Sequence, residues 1–334
     1  MRVLSIGQLR EGQTCFERAK VFQEIGWEIV QFDILKYAEH GGRVRRSLQH
    51  RLLDGPDVRR FNRDLLNLVR LDSRFDAIWV DKGRWLFADT LKEIKERTGA
   101  FAVHYTPDPA FTVHTSRHFV GGIRYYDLCV TTKKYEIDTY ADAGAQKVIF
   151  TLQGIDERFS RIQECGEIGS PLREGLVFIG HRESHYEQTL SAIAKSGLDV
   201  RVWGPGWETS RLSYAQGGAV IGDKYPRTLA SGKIGVGLLS KLYPDAFTTR
   251  TFEMPAAGLL MIAERTPEHE ALLEEGREVE FFSDMNEFVE KSKYYLDHER
   301  ERIEIAKRGR EKALRKYTWR AVMQPVIEEI TRSI

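Results

Sequence analysis

At 334 residues the chain is long enough to fold as two domains, each with its own core. Fifty Lys and Arg stand against 49 Asp and Glu, so the formal charge is +1 and no bulk nucleic-acid partner is indicated. Cys15, Cys129 and Cys165 are odd in number, widely spaced and free of any Cys-x-x-Cys, which argues for reduced thiols over a disulfide framework.

Met1–Gly7 is too short an apolar run for a signal peptide and reads as a buried first strand. No stretch reaches the ~20 apolar residues that span a bilayer, so a soluble, cytoplasmic protein is expected. Strands are predicted at Val3–Ile6, Ile29–Phe32, Ala77–Val80, Ala102–Tyr105, Leu128–Thr131 and Val148–Leu152. Helical periodicity over Cys15–Ile25, Leu86–Arg97 and Tyr135–Ala143 separates several of them. This alternation predicts βαβ units on a parallel sheet.

Ligand-facing loops of such a sheet lie beyond the carboxyl ends of its strands. Gly7, before the loop Gln8–Gln13, lets a ligand approach the backbone, although no full G-x-G-x-x-G is present. Asp108, in Tyr105-Thr106-Pro107-Asp108-Pro109, is the first-half acid best placed to bind or deprotonate a hydroxyl; a Pro-bounded turn explains it equally well. Gln153 and Asp156 follow the last strand of this half and are read as lining the same side. Between Gly7 and Asp108 lies a basic run, Arg43–Arg70, interleaved with leucines. It reads first as a solvated helix face and second as a peripheral membrane contact. The pairs His114/His118 and His181/His185 have i, i+4 spacing without the Glu of His-Glu-x-x-His, so no metal site is expected.

A polar break at Ser160–Arg173 precedes a second alternating series: Leu176–Ile179, Val200–Trp203, Ala219–Ile221, Ile234–Leu239, Leu259–Ala263 and Val279–Phe282. Gly180, His181 and Arg182 follow the first of these strands. Gly204, Gly206 and Trp207 follow the second, where glycines admit close approach and an aromatic face suits a base. Lys224, Tyr225 and Lys241 lead to the most informative segment, Asp245–Gly258. There Asp245, Thr248, Thr249 and Arg250 run into an apolar helix ending at Gly258. A helix N-terminus with an arginine fork suits a phosphate, and Glu253 suits a pair of neighbouring hydroxyls. Helices Glu299–Lys316 and Trp319–Ile334 close the chain.

From about Leu176 to Trp319 these segments, in order, resemble the C-terminal lobe of GT-B-fold glycosyltransferases, most closely the group named after the spore maturation protein CgeB. Asp245 and Glu253 are similar to two acids that retaining members carry eight positions apart, with Asp in place of the usual first Glu. The resemblance implies that Glu253 holds the donor ribose, that Asp245 lies by the donor sugar or phosphates, and that basic side chains hold the diphosphate. It further implies an α/β fold of two Rossmann-like, doubly wound parallel-sheet domains facing across a cleft. Their bounds would be 1–160 on the acceptor side and 161–318 on the donor side, with helix 319–334 returning to the first. The expected activity is metal-independent and retaining transfer of a sugar from a nucleotide-diphosphate sugar, with no cofactor. The acceptor would be a hydroxyl of a glycan, a lipid-linked compound or a small molecule. A sugar-nucleotide epimerase or hydrolase of the same fold, and a non-catalytic nucleotide- or sugar-binding protein, are the alternatives.

Overall fold

The computed structural model of the chain describes residues 1–40, 42–112, 115–165, 173–210 and 212–334. His114 and residues 166–172 of the sequence-predicted break at 160–173 fall outside the described residues, as does the side chain of Cys165. The chain divides into two compact units, Met1–Leu152 with Val322–Ile334, and Gln153–Ala321.

In the first unit six strands form one parallel sheet: β1 (Arg2–Gly7), β2 (Glu28–Asp33), β3 (Ala77–Asp81), β4 (Phe101–Thr106), β5 (Leu128–Thr131) and β6 (Val148–Phe150). Their order is β2-β1-β3-β4-β5-β6, so the winding reverses between β1 and β3. β3, β4 and β5 are buried almost throughout, because helices cover both faces of a parallel sheet. The final helix, Trp319–Ser333, joins this unit from Val322 onward. Thr151 Oγ1 donates to the Val322 carbonyl at 2.7 Å, and Lys147 pairs with Glu329 at 2.7 Å.

The second unit repeats the plan with β7 (Leu176–Ile179), β8 (Val200–Trp203), β9 (Ala215–Gly217), β10 (Ile234–Gly237), β11 (Leu260–Glu264) and β12 (Glu280–Phe282). The order is β12-β11-β10-β7-β8-β9, which puts the reversal between β7 and β10. One predicted strand is corrected: Ala219–Ile221 pairs with no strand, and the edge strand is Ala215–Gly217. Register there is set by backbone pairing, since Gly204 N–H reaches the Gly217 and Gly218 carbonyls at 3.2 and 2.9 Å. The apolar Ile221 that suggested a strand is 77% exposed. Among the described residues no helix is long and apolar enough to cross a membrane.

Candidate functional site

The loops that leave β7 and β8 are fastened side by side. Gly180 N–H donates to the Trp203 carbonyl (3.0 Å) and Arg182 N–H to the Pro205 carbonyl (2.9 Å), while Trp207 Nε1 donates to the Gly180 carbonyl (2.9 Å). Gly204 sits at φ +138°, and a Cβ there would lie 2.0 Å from the Gly180 oxygen, so this crossing admits no other residue. Trp207 is 1% exposed. The expectation that its face receives a base is therefore corrected: the indole is a buried pin, because its N–H has been drawn inward to a carbonyl. His181 and Arg182 are exposed, and Arg182 is paired with Glu187 at 2.8 Å.

Helix Arg250–Ala256 follows the long loop after β10 and stops before Gly258, at φ +75°. The expectation of free amides at its N-terminus is cut back for Thr248, Thr251 and Phe252. The N–H groups of Thr251, Phe252 and Glu253 fold back on the carbonyls of Thr248 and Thr249, and Thr251 Oγ1 accepts from Thr248 N–H. Positive charge comes instead from the Arg250 side chain, which lies across the carboxyl ends of β7 and β10. It donates to the carbonyls of Leu238 (2.9 Å) and Ile179 (3.3 Å) and to Tyr186 Oη (3.1 Å), with its guanidinium near the rings of Phe178 and Tyr186. Gly180 makes this possible, since a Cβ there would come within 2.5 Å of Arg250 Nη1. All three acceptors are neutral, and among the described residues Arg250 makes no ion pair. A cation fixed by neutral acceptors thus stands where the strand order reverses, the position at which open α/β sheets take ligands.

One turn along the same helix, Glu253 Oε2 accepts from Tyr225 Oη at 2.6 Å. Burial raises the Glu253 carboxyl from its ordinary 4.5 to about 7; the Tyr225 hydrogen bond and the Arg250 charge oppose that rise, and Asp156 adds to it. Tyr225 itself is raised well above its usual value by burial and by the neighbouring carboxyl. Asp156 is held by the backbone N–H of Arg158 at 2.8 Å and by its guanidinium. Thr249 Oγ1 donates to Gln153 Oε1. Gln153 and Asp156, read from the sequence as part of the first half, belong to the second unit and stand with Thr249 and Glu253.

Other expected residues are spread more widely. Lys224 is exposed at the first position of helix Lys224–Ala230. Lys241 is paired with Glu264, which also accepts from Leu239 N–H at 2.8 Å. Asp245 is half-buried in a loop tied by the Thr266 hydroxyl to the Ala246 carbonyl at 2.7 Å. Sequence reasoning missed Tyr186 as a partner of Arg250, and Glu264, which lines a cavity of about 350 Å³ with His185, Leu238, Phe282 and Ser283. Glu264 carried a readable signal, as a lone acid closing an apolar strand at its carboxyl end.

In the first unit Gly7 is packed against Asp81, which a Cβ would approach to 2.9 Å. Asp81 in turn accepts from Trp79 Nε1 (2.9 Å) and from the buried Arg18. Asp108 pairs with Lys82 at 2.6 Å beyond the end of β4. His118 Nε2 lies 2.8 Å from the Leu53 carbonyl. Among the described residues no group of three or more His, Cys, Asp or Glu is arranged to hold a metal ion.

Residues 182–328 match the model of a family described as glycosyl transferase-like. No curated protein matches the sequence. Among solved structures, sucrose-phosphate synthase from Thermosynechococcus elongatus superposes with a TM-score of 0.67 at 12% identity, covering 100% of this chain and 99% of that one. HepE of Anabaena in complex with UDP and glucose gives 0.64 at 12% identity, with 99% and 100% covered. AviGT4, a glycosyltransferase involved in avilamycin A biosynthesis, gives 0.59 at 11% identity, with 99% and 97% covered. The chain therefore has the GT-B fold of two parallel six-stranded α/β units, and its segment 182–328 is similar in sequence to the glycosyl transferase-like family.

Proposed function

We propose that the chain is a glycosyltransferase that moves a sugar from a UDP-sugar to an acceptor hydroxyl. The observation that carries this reading is the pair Arg250 and Glu253 on one short helix: a guanidinium that makes no direct ion pair among the described residues, held at the strand reversal, and a carboxyl close enough to feel its charge. A diphosphate supplies a direct anionic partner for Arg250, and a ribose supplies two hydroxyls for Glu253. The match of residues 182–328 and the UDP and UDP-glucose bound to HepE support the same donor class.

Bond cleavage leaves growing charge on the diphosphate, and Arg250 is already fixed to receive it, so little reorganisation accompanies the step. Retention, with the departing phosphate accepting the proton of the acceptor, and independence of divalent metals are parts of this proposal. So are the donor-side role of Asp245, an acceptor-side role for Asp108, and membership of the CgeB-like group, which the order of motifs from Leu176 to Trp319 favours.

Turnover of UDP-sugars by wild type and Arg250→Ala tests the reading. Arg250→Ala is expected to lower kcat by about two to three orders of magnitude, as for loss of one preorganised donor. Arg250→Lys recovers part of this, keeping the charge and losing the fork. Near-wild-type kcat in Arg250→Ala at saturating donor refutes the site. Nucleotide binding without any turnover favours a non-catalytic binding protein, and the anomeric configuration of the product decides retention.

A further inference from the structure

The basic run Arg43–Arg70 contains two helices of opposite character. Helix Pro56–Leu71 is an ordinary surface helix, with Val58, Phe61, Leu65 and Val69 buried. Its arginines point outward and are neutralised: Arg59 by Asp54 (3.0 Å), Arg60 by Asp64 (3.4 Å) and Arg70 by Glu93 (2.9 Å). The solvated-face reading holds for this part of the run.

Helix Arg43–Leu52 is turned the other way. Its buried residue is polar: Gln49, 4% exposed, exchanges hydrogen bonds with Asp57, donating at 2.6 Å and accepting from the Asp57 N–H at 2.8 Å. Its apolar residues face water, with Val44 83%, Leu48 55% and Leu52 56% exposed. Spaced by four, they form one stripe about 12 Å long at 1.5 Å per residue. A helix that packs its polar side on the protein and offers its apolar side to solvent is built to meet something else.

Charge identifies the partner. The helix carries Arg43, Arg45, Arg46 and Arg51 and no acid. Arg45 is spent on Asp57 at 2.6 Å, and Arg46 feels Glu39, whereas Arg43 and Arg51 make no ion pair among the described residues. At about 100° per residue Arg45 and Arg51 border this stripe on either side, and Arg43 and Arg46 add positive charge further round the helix; this matches an anionic bilayer interface, where the stripe enters the acyl boundary and long guanidinium side chains reach headgroup phosphates. A second copy of this helix fits poorly, since it brings four more arginines. A ten-residue helix also falls well short of the roughly 800 Å² per partner of a stable interface.

We propose that helix Arg43–Leu52 docks the first unit on an anionic lipid surface. Sedimentation of the full chain with phosphatidylcholine vesicles, with and without phosphatidylglycerol, tests this. Partition onto anionic vesicles is expected to exceed that onto neutral ones by at least roughly tenfold, given the attraction of each arginine to a negative surface. It should fall as salt rises from ~0.05 to ~0.5 M, because screening shortens the reach of these charges. The combined variant Val44→Ser, Leu48→Ser and Leu52→Ser, and separately Arg43→Gln, Arg46→Gln and Arg51→Gln, should each lose binding with an unchanged melting temperature. Equal partition onto neutral vesicles, or full binding by either variant, overturns the proposal. So does failure to pellet combined with dimers in light scattering, which assigns the stripe to a second copy.

Discussion

Glu253→Gln should make the protein more stable and worse at binding nucleotide, and pH separates the two effects. The folded state holds the Glu253 proton until about pH 7, whereas an unfolded carboxyl loses it near 4.5. A raised acid of this kind favours the folded state at low pH, and the advantage disappears as pH rises between those two values. At about 1.4 kcal/mol per pH unit, a rise of this size corresponds to an upper limit of roughly 3 kcal/mol, of which about 2–3 falls between pH 5 and pH 8. Glutamine preserves the shape and the Tyr225 contact and has no proton to lose. The stability of Glu253→Gln relative to wild type, from urea denaturation, should therefore improve by about 1–3 kcal/mol on going from pH 5 to pH 8. At pH 8, where the Glu253 carboxyl is ionised, the affinity of the variant for UDP, by calorimetry, should be lower by about 1–3 kcal/mol through loss of a charged hydrogen bond. A stability difference that is flat with pH removes the buried carboxyl from the argument. An unchanged affinity removes Glu253 from the nucleotide site.

Gly204→Ala should destabilise the second unit by about 3–5 kcal/mol, because the backbone lies at φ +138° and the new methyl meets the Gly180 carbonyl at 2.0 Å; a melting temperature within a degree or two of wild type would show that the two loops part easily. Tyr225→Phe removes the hydrogen bond that holds the Glu253 carboxyl down, so its titration should move above about 7, followed through the pH dependence of stability. Transfer should survive EDTA, since the proposal gives the leaving diphosphate to Arg250; activity abolished by chelation and restored by manganese would contradict it.

Period and punctuation in the sequence determined most of the architecture. Eleven of the twelve strands fall where apolar, β-branched runs predicted them, because strands buried on both faces need continuous apolar stretches. The twelfth, Ala215–Gly217, has no such run: it is an edge strand held by carbonyls that Gly204 happens to reach. Arg250 and Glu253 were legible as neighbours on one helix, since local spacing places them there. What surrounds them was decided by tertiary structure alone. Tyr186 and Leu238 meet Arg250 because β7 and β10, far apart in sequence, are adjacent in the sheet. Trp207 looked like a stacking platform and became a buried pin because Gly180 presents a carbonyl 2.9 Å from its N–H. The same holds for the basic run: composition predicted an amphipathic helix, but which side faces the protein is a property of packing. Gln49 inside, and Val44, Leu48 and Leu52 outside, follow from the Asp57 carboxylate that the next helix places beneath it.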